Sequence, residues 1–222
     1  MGIPDTPLGQ HRSYFILAAA ACVCATLFAL TVADAPLPGI GAWPLLPIVF
    51  FSALFGLPLL VVIKGRLLSQ AQTLEGRHLL ILLGLAALLT LPPVAIDLTI
   101  AFPKHMNVPL PGALLFYFAI ALVAEVVFHL IPLAALAITR LARVASPWAY
   151  LPAVLAEPAF QAALGAGTTL QGWLVFGNVA LISGVQVWLF VRYGFAAMMG
   201  LRLAYYLFWH VLWGTLRLPI LF

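Results

Sequence analysis

The chain has 222 residues, of which 65% are hydrophobic and only 7% are charged. So few ionic groups cannot cover a water-soluble globule of this size, which excludes a soluble domain. Ten Lys and Arg residues against six Asp and Glu residues give a formal net charge of +4. These basic residues stand mostly between apolar runs, where they orient a chain in a lipid bilayer, so nucleic acid is not an expected partner.

Seven apolar stretches follow one another along the chain, separated by Pro, Gly and charged residues. Each runs for roughly 20 residues, the length that a helix needs to cross a bilayer, and none alternates as a membrane β-strand does. The sequence therefore predicts an all-α polytopic transmembrane bundle of about seven spans, with residues 1–222 forming a single membrane-embedded domain. The predicted stretches are 13–33, 43–63, 79–102, 113–138, 148–164, 170–191 and 194–216.

The first stretch is interpreted as a retained helix and not as a signal peptide, since no clear cleavage site of small residues precedes Asp34. The distribution of Lys and Arg then predicts the orientation of the chain. With the N-terminus in the cytoplasm, only Lys104 and Arg217 fall on the outer side. The predicted location is a bacterial inner membrane, with the N-terminus inside and the C-terminus outside. The inner side receives Arg12, Lys64, Arg66, Arg77, Arg140, Arg143 and Arg192.

Ionisable side chains inside the apolar stretches are the most informative residues, because each costs free energy in hydrocarbon. A rise of about 1.5 Å per helical residue places three of them at roughly 12 to 14 Å from the cytoplasmic end and Glu125 at roughly 20 Å. Asp97, at about 27 Å, is expected to lie outside that layer. The residues of this class are Asp97, Glu125, His129, Glu157, Arg202 and His210.

Glu125 and His129 are four residues apart, which places a carboxylate and an imidazole on one helix face. Together with Glu157 and His210 they would provide two carboxylates and two imidazoles, a ligand set that suits Zn, Fe or Mn. The same four side chains, Glu125, His129, Glu157 and His210, could also activate a water molecule without a metal. The sequence therefore predicts a catalytic site, with a divalent metal as its candidate cofactor.

Structural roles are equally open for several of these residues. Glu157 and Arg202, at similar depth, could form an ion pair that only neutralises two buried charges. A buried His can be held by a hydrogen bond to a neighbouring helix without taking part in chemistry. The polar residues of the sixth stretch are interpreted as interhelical hydrogen bonders and not as site residues, and they are Asn178, Ser183 and Gln186.

The segment Ala-Glu-Val-Val-Phe-His at 124–129 resembles the first motif of the CPBP family of intramembrane endopeptidases, relatives of the type II CAAX prenyl protease. That motif reads Glu-Glu-x-x-Phe-Arg, so Ala124 stands where the family has its first Glu and His129 where it has Arg. Glu157 falls near the expected His of the second motif. His210 with Gly214 resembles the third motif, His-x-x-x-Asn, without its Asn. The resemblance covers a CPBP-like core of about residues 113–216.

This resemblance implies an intramembrane hydrolase, and specifically a peptidase acting on a membrane protein or peptide. Glu125 would be the general base for a water molecule, while His129 and His210 would orient that water or stabilise the oxyanion. Glu157 would complete the cavity or the shell of a metal.

Three other functions remain open from the sequence. The first is a catalytically inactive CPBP-like subunit or chaperone that docks a larger membrane complex. The second is a haem protein with His129 and His210 as axial ligands. The third is transport along a pathway of midplane charges, although no inverted repeat is found.

Overall fold

A computed structural model describes residues 7–31, 44–68, 76–139, 147–163 and 169–222. These residues form helices and no strands, which confirms the predicted all-α class. The helices are α1 (Pro7–Thr31), α2 (Leu45–Leu67), α3 (Gly76–Thr99), α4 (Gly112–Ala124), α5 (Ile131–Ile138), α6 (Leu151–Gln161), α7 (Leu170–Tyr193), α8 (Phe195–Tyr206) and α9 (Gly214–Leu221).

Six helical segments in the described part of the chain are long and apolar enough to cross a bilayer. Many of their large apolar side chains point outward, such as Leu30 at 76% exposed and Leu80 at 72% exposed. Such a surface would be a liability in water and suits contact with lipid. The protein is therefore a polytopic helical membrane protein. The six segments are Gly9–Thr31, Leu45–Lys64, His78–Thr99, Gly112–Ile138, Leu170–Tyr193 and Phe195–Leu221.

The fifth predicted stretch is the exception. It forms a 3-10 turn at Pro147–Tyr150 and then the 11-residue helix α6, which is shorter than a bilayer span. Pro152 at the start of α6 and Pro158 inside it both lack the N–H that a regular helix uses. The end of this stretch, at Leu164, lies outside the described residues.

The helices pack so that the two ends of the bundle can be told apart. At the end that we call the N-terminal end, the Gln10 side chain donates to the carbonyl oxygen of Tyr193 over 3.3 Å. At the opposite end, the loop end, Gln171 Nε2 donates to the carbonyl oxygen of Ile100 over 2.8 Å. Because α5 ends at the N-terminal end and α7 begins at the loop end, the segment that contains α6 connects the two ends. Among the described residues, six long helical segments and the short α6 are thus placed between these two ends.

Two π-helical turns interrupt the helices that carry the predicted site. Glu125–Leu130 lies between α4 and α5 and carries Glu125 and His129. Leu207–Trp213 lies between α8 and α9 and carries His210. Such wider turns are rare in proteins, and those that occur are often found at functional sites. These two turns therefore coincide with residues that the sequence singled out.

Candidate functional site

A buried ion cluster is centred on Arg202 of α8, whose side chain is 3% exposed. Its Nε lies 2.5 Å from Glu125 Oε1, and Nη1 and Nη2 donate to the two carboxylate oxygens of Glu157 over 3.0 and 2.7 Å. The remaining two N–H groups donate to Tyr206 Oη over 3.0 Å and to Gln186 Oε1 over 3.2 Å. All five donors of the guanidinium are therefore engaged within the cluster.

Two other helices and the first π-helical turn bring three of these partners to Arg202. Glu157 lies on α6, Gln186 on α7, and Glu125 at the start of the first π-helical turn. Gln186 Nε2 donates a short hydrogen bond to Glu125 Oε1, and Gln161 Nε2 donates to Glu157 Oε1 over 3.4 Å. The interpretation of Glu157 and Arg202 as an ion pair is confirmed. A buried charge that is paired and fully hydrogen-bonded costs far less than an isolated one, which explains how this cluster can lie within the bilayer.

His129 lies behind the cluster and is fully buried. Its Nδ1 is 2.9 Å from Glu125 Oε2, within ion-pair distance, but the angle is not that of a hydrogen bond, and Nε2 has no partner among the described residues. The predicted face shared by Glu125 and His129 is therefore present. It points into the protein interior, because neither residue lines the cavity described next.

A cavity of about 200 Å³ lies beside the cluster. Its walls come from α3, α6, α7 and α8, from the second π-helical turn and from residues 102 and 106 of the 101–111 loop. Apolar and aromatic side chains form most of the surface, with a few convergent polar groups, which is the usual character of a small-molecule or active site. The polar side chains that line it belong to Glu157, Gln161, Asn178, Arg202, Tyr205, Tyr206 and His210.

His210 reaches this cavity in a fixed orientation. Its Nδ1 lies 2.8 Å from Asn107 Oδ1, and its ring stacks on Tyr117 with 4.3 Å between ring centroids. Tyr117 Oη accepts the N–H of Val108 and donates to Asn107 Oδ1, each over 3.2 Å. Since an amide oxygen only accepts, Nδ1 of the neutral ring carries the proton, and Nε2 keeps a free lone pair. Nε2 makes no hydrogen bond within the described residues.

Gly214 provides the space for Asn107. A Cβ atom at position 214 would lie 2.7 Å from Asn107 Nδ2, too close unless the Asn107 side chain moves. Position 214 is where the third motif would have an Asn, one turn after His210, and this chain has Gly there. Asn107 from the loop lies next to Gly214 instead and contacts His210. Sequence reasoning missed this residue, because nothing in residues 101–111 indicates that their side chains return to α9.

Tyr206 connects the ion cluster to His210. Its hydroxyl accepts from Arg202, and its ring meets the His210 ring edge-on, with 5.0 Å between centroids and 81° between planes. Tyr206 also packs against both apolar clusters of the bundle core. Its position four residues after Arg202, on the same helix face, is a signal that the sequence contained.

The four predicted site residues are not all brought together. Glu125 and His129 meet behind Arg202, Glu157 lies across the guanidinium from Glu125, and His210 lies beyond Tyr206. No group of three or more His, Cys, Asp or Glu side chains among the described residues could hold a metal ion. The expected divalent metal site of Glu125, His129, Glu157 and His210 is therefore not assembled. The haem prediction also lacks support, since His210 lines the cavity and His129 does not.

Asp97 lies apart from this cluster, as its depth predicts. It is fully buried at the loop end, where Arg217 Nε and Nη2 donate to its two oxygens over 2.6 and 2.8 Å. Phe102 N–H and Trp213 Nε1–H also donate to it. Of the polar residues on α7, Gln186 and Asn178 make interhelical hydrogen bonds as predicted, Asn178 to Tyr205 Oη. Contrary to the expectation that they lie outside the site, Gln186 belongs to the ion cluster and Asn178 lines the cavity. Ser183 Oγ has no partner in the described part of the chain.

Comparison with models of known families, with curated proteins and with solved structures finds no match for this chain.

Proposed function

We propose that this protein is an intramembrane hydrolase that cleaves a peptide bond, with His210 as the general base. The observation that carries the proposal is the arrangement of that ring. Asn107 accepts from Nδ1, and Nε2 is left unpartnered on a residue that lines a partly apolar cavity. A neutral imidazole held in one tautomer, with its second nitrogen free, suits abstraction of a proton from water.

The reaction has a simple balance. The water oxygen attacks the peptide carbonyl carbon while His210 Nε2 takes the proton, and the carbonyl electron pair moves to the oxygen. When that pair returns, the C–N bond breaks, and His210 gives its proton to the leaving nitrogen. The products are a carboxylic acid and an amine, and the imidazole is regenerated.

This proposal assigns Glu125 a different role from the one expected for the first motif. Its carboxylate accepts from Arg202 and Gln186 and does not line the cavity, so it would hold Arg202 in place instead of activating water. Because the donors do not form a metal site, no step is routed through a metal ion.

The resemblance to CPBP endopeptidases supports a peptide substrate, because His210 is the matched residue that reaches the cavity. The proposed location is a bacterial inner membrane, and the distribution of Lys and Arg supports an orientation with the N-terminus inside.

The test uses the purified protein in liposomes of phosphatidylethanolamine and phosphatidylglycerol, with fluorescence-quenched peptides that carry an apolar segment of about 20 residues. We expect the wild type to cleave and His210→Gln to lower kcat by about 10²- to 10⁴-fold. His105→Gln is the matched control, because His105 is exposed on the loop. Equal cleavage by His210→Gln and the control would refute the role of His210.

A non-catalytic membrane subunit or chaperone is the second candidate, and one observation favours it. All five N–H donors of Arg202 make hydrogen bonds within the cluster, as expected of a purely structural group. This function predicts no cleavage by the wild type and recovery of a stoichiometric partner from native membranes. Cleavage by the wild type that is lost in His210→Gln would exclude a non-catalytic function.

A further inference from the structure

We infer that Tyr206 is a second catalytic residue, whose hydroxyl donates a hydrogen bond to the substrate carbonyl oxygen as that oxygen becomes negative. This inference rests on the proposed hydrolase function and deepens it, because it identifies the side chain that would bind the substrate carbonyl in the cavity. It also gives the buried ion cluster a part in the chemistry.

The phenol of Tyr206 has an unused donor. Its oxygen accepts from Arg202 Nη1 over 3.0 Å, and the guanidinium carbon lies 5.5 Å from the ring centroid. Among the described residues, no acceptor receives its O–H hydrogen. Since Tyr206 lines the cavity, a bound molecule is the acceptor within reach.

The contact with Arg202 directs this donor. Because a guanidinium N–H already donates to the phenol oxygen, the O–H hydrogen points elsewhere, and hydrogen bonds in such a chain reinforce one another in a medium of low dielectric. Because the other four N–H groups of Arg202 are held by Glu125, Glu157 and Gln186, the guanidinium has no donor of its own left for a substrate. Tyr206 therefore offers the hydrogen-bond donor that Arg202 lacks.

Base and donor are neighbours in the site. The Tyr206 and His210 rings meet edge-on at 5.0 Å, and both residues line the same cavity. During attack, the water proton goes to His210 Nε2 and the carbonyl electron pair goes to the oxygen. The Tyr206 O–H would bind that oxygen and keep its own proton throughout, as the donors of an oxyanion hole do.

The experiment measures kcat and KM for the same quenched peptides in the same liposomes. Tyr206→Phe keeps the ring and removes the donor, and we expect kcat to fall about 10²- to 10³-fold, with KM changed much less. Tyr14→Phe is the matched control. Tyr14 is buried, donates to the carbonyl oxygens of Ser52 and Ala53 and does not line the cavity, so the loss of its hydroxyl tests for a general effect of removing a buried hydroxyl.

A second measurement keeps the hydroxyl and so does not depend on how well the Phe variant folds. Tyr206 is replaced by tyrosines with increasing fluorine substitution, which makes the phenol progressively more acidic. We expect kcat to change steadily along this series at position 206 and to stay constant when the same series is placed at position 14. A merely structural Tyr206 would give a flat series at both positions.

The outcomes separate the two proposals. Cleavage by the wild type, with unchanged kcat in Tyr206→Phe and a flat series, overturns the role of Tyr206 and leaves that of His210 standing. Failure of the wild type to cleave overturns both. Loss of kcat in Tyr206→Phe together with a graded series supports the assignment.

Discussion

Asn107 and His210 are 103 residues apart in the sequence, and their side chains meet at 2.8 Å. The contact joins the 101–111 loop to the second π-helical turn and leaves one nitrogen of the imidazole available. Under the proposed function, Asn107 is a positioning residue, which acts through His210.

Removal of Asn107 tests this relationship. In Asn107→Ala the His210 ring loses the acceptor that fixes its tautomer and orientation, and a displacement of about 1 Å can cost roughly 100-fold in rate. We expect kcat to fall by about that factor while KM changes little, and the pH profile of kcat to shift. Asn107→Asp retains an acceptor and should recover part of the rate. A variant as fast as the wild type would contradict the positioning role.

Gly214 offers an independent route to the same effect. The Cβ of Gly214→Ala would meet Asn107 Nδ2 at 2.7 Å, so we expect Asn107 to be displaced and kcat to fall as in Asn107→Ala. Gly84→Ala is the control, since nothing lies within 4 Å of a Cβ at that helical position. There the change should be neutral or stabilise the protein by up to about 1 kcal/mol. Equal behaviour of the two Ala variants in kinetics and thermal unfolding would refute the steric argument.

The ion cluster predicts a strong asymmetry in stability. Arg202→Met leaves two buried carboxylates without their partner, and we expect the free energy of unfolding to fall by about 3–5 kcal/mol. Adding Glu125→Gln and Glu157→Gln to Arg202→Met removes the uncompensated charges and should restore part of that loss. The free energy of unfolding of both variants is measured in detergent with increasing concentrations of dodecyl sulfate. A triple variant less stable than the single variant would contradict the electrostatic explanation.

The Asp97 and Arg217 pair fixes the first residues of the loop. Arg217 donates to the carbonyl oxygens of Phe102 and Pro103 as well as to Asp97, over 2.6 and 3.0 Å for the two carbonyls. Arg217→Met would leave the Asp97 carboxylate buried and unpaired, at a cost of about 3–5 kcal/mol. We also expect faster amide hydrogen exchange at Met106, whose N–H donates to Pro103. Unchanged exchange there would show that the loop is held elsewhere.

The donor arrangement predicts that divalent metal ions are not required. Treatment with a chelator should leave both the cleavage rate and the thermal unfolding temperature unchanged, because no three potential ligands in the described residues form a metal-binding group. Elemental analysis of the chelated and untreated protein provides the control. Loss of activity on chelation that zinc or manganese restores would contradict this expectation.

Hydropathy and helical rise were enough to predict the class of fold and the similar depth of Glu157 and Arg202, because a charge buried in lipid needs a partner at equal depth. They could not predict which face of a helix borders a cavity. That depends on helix rotation, which the π-helical turn at Glu125 changes locally. They also missed Asn107, because contacts made by a loop leave no periodic pattern in the sequence.

The order of synthesis gives the Arg202 cluster a further consequence. Glu125 and Glu157 leave the ribosome 77 and 45 residues ahead of the guanidinium that neutralises them. Most of the polypeptide is therefore synthesised before these two acidic groups can meet their guanidinium partner. Nascent chains arrested before residue 202 should consequently extract more readily from membranes at alkaline pH than those arrested after α8 has emerged.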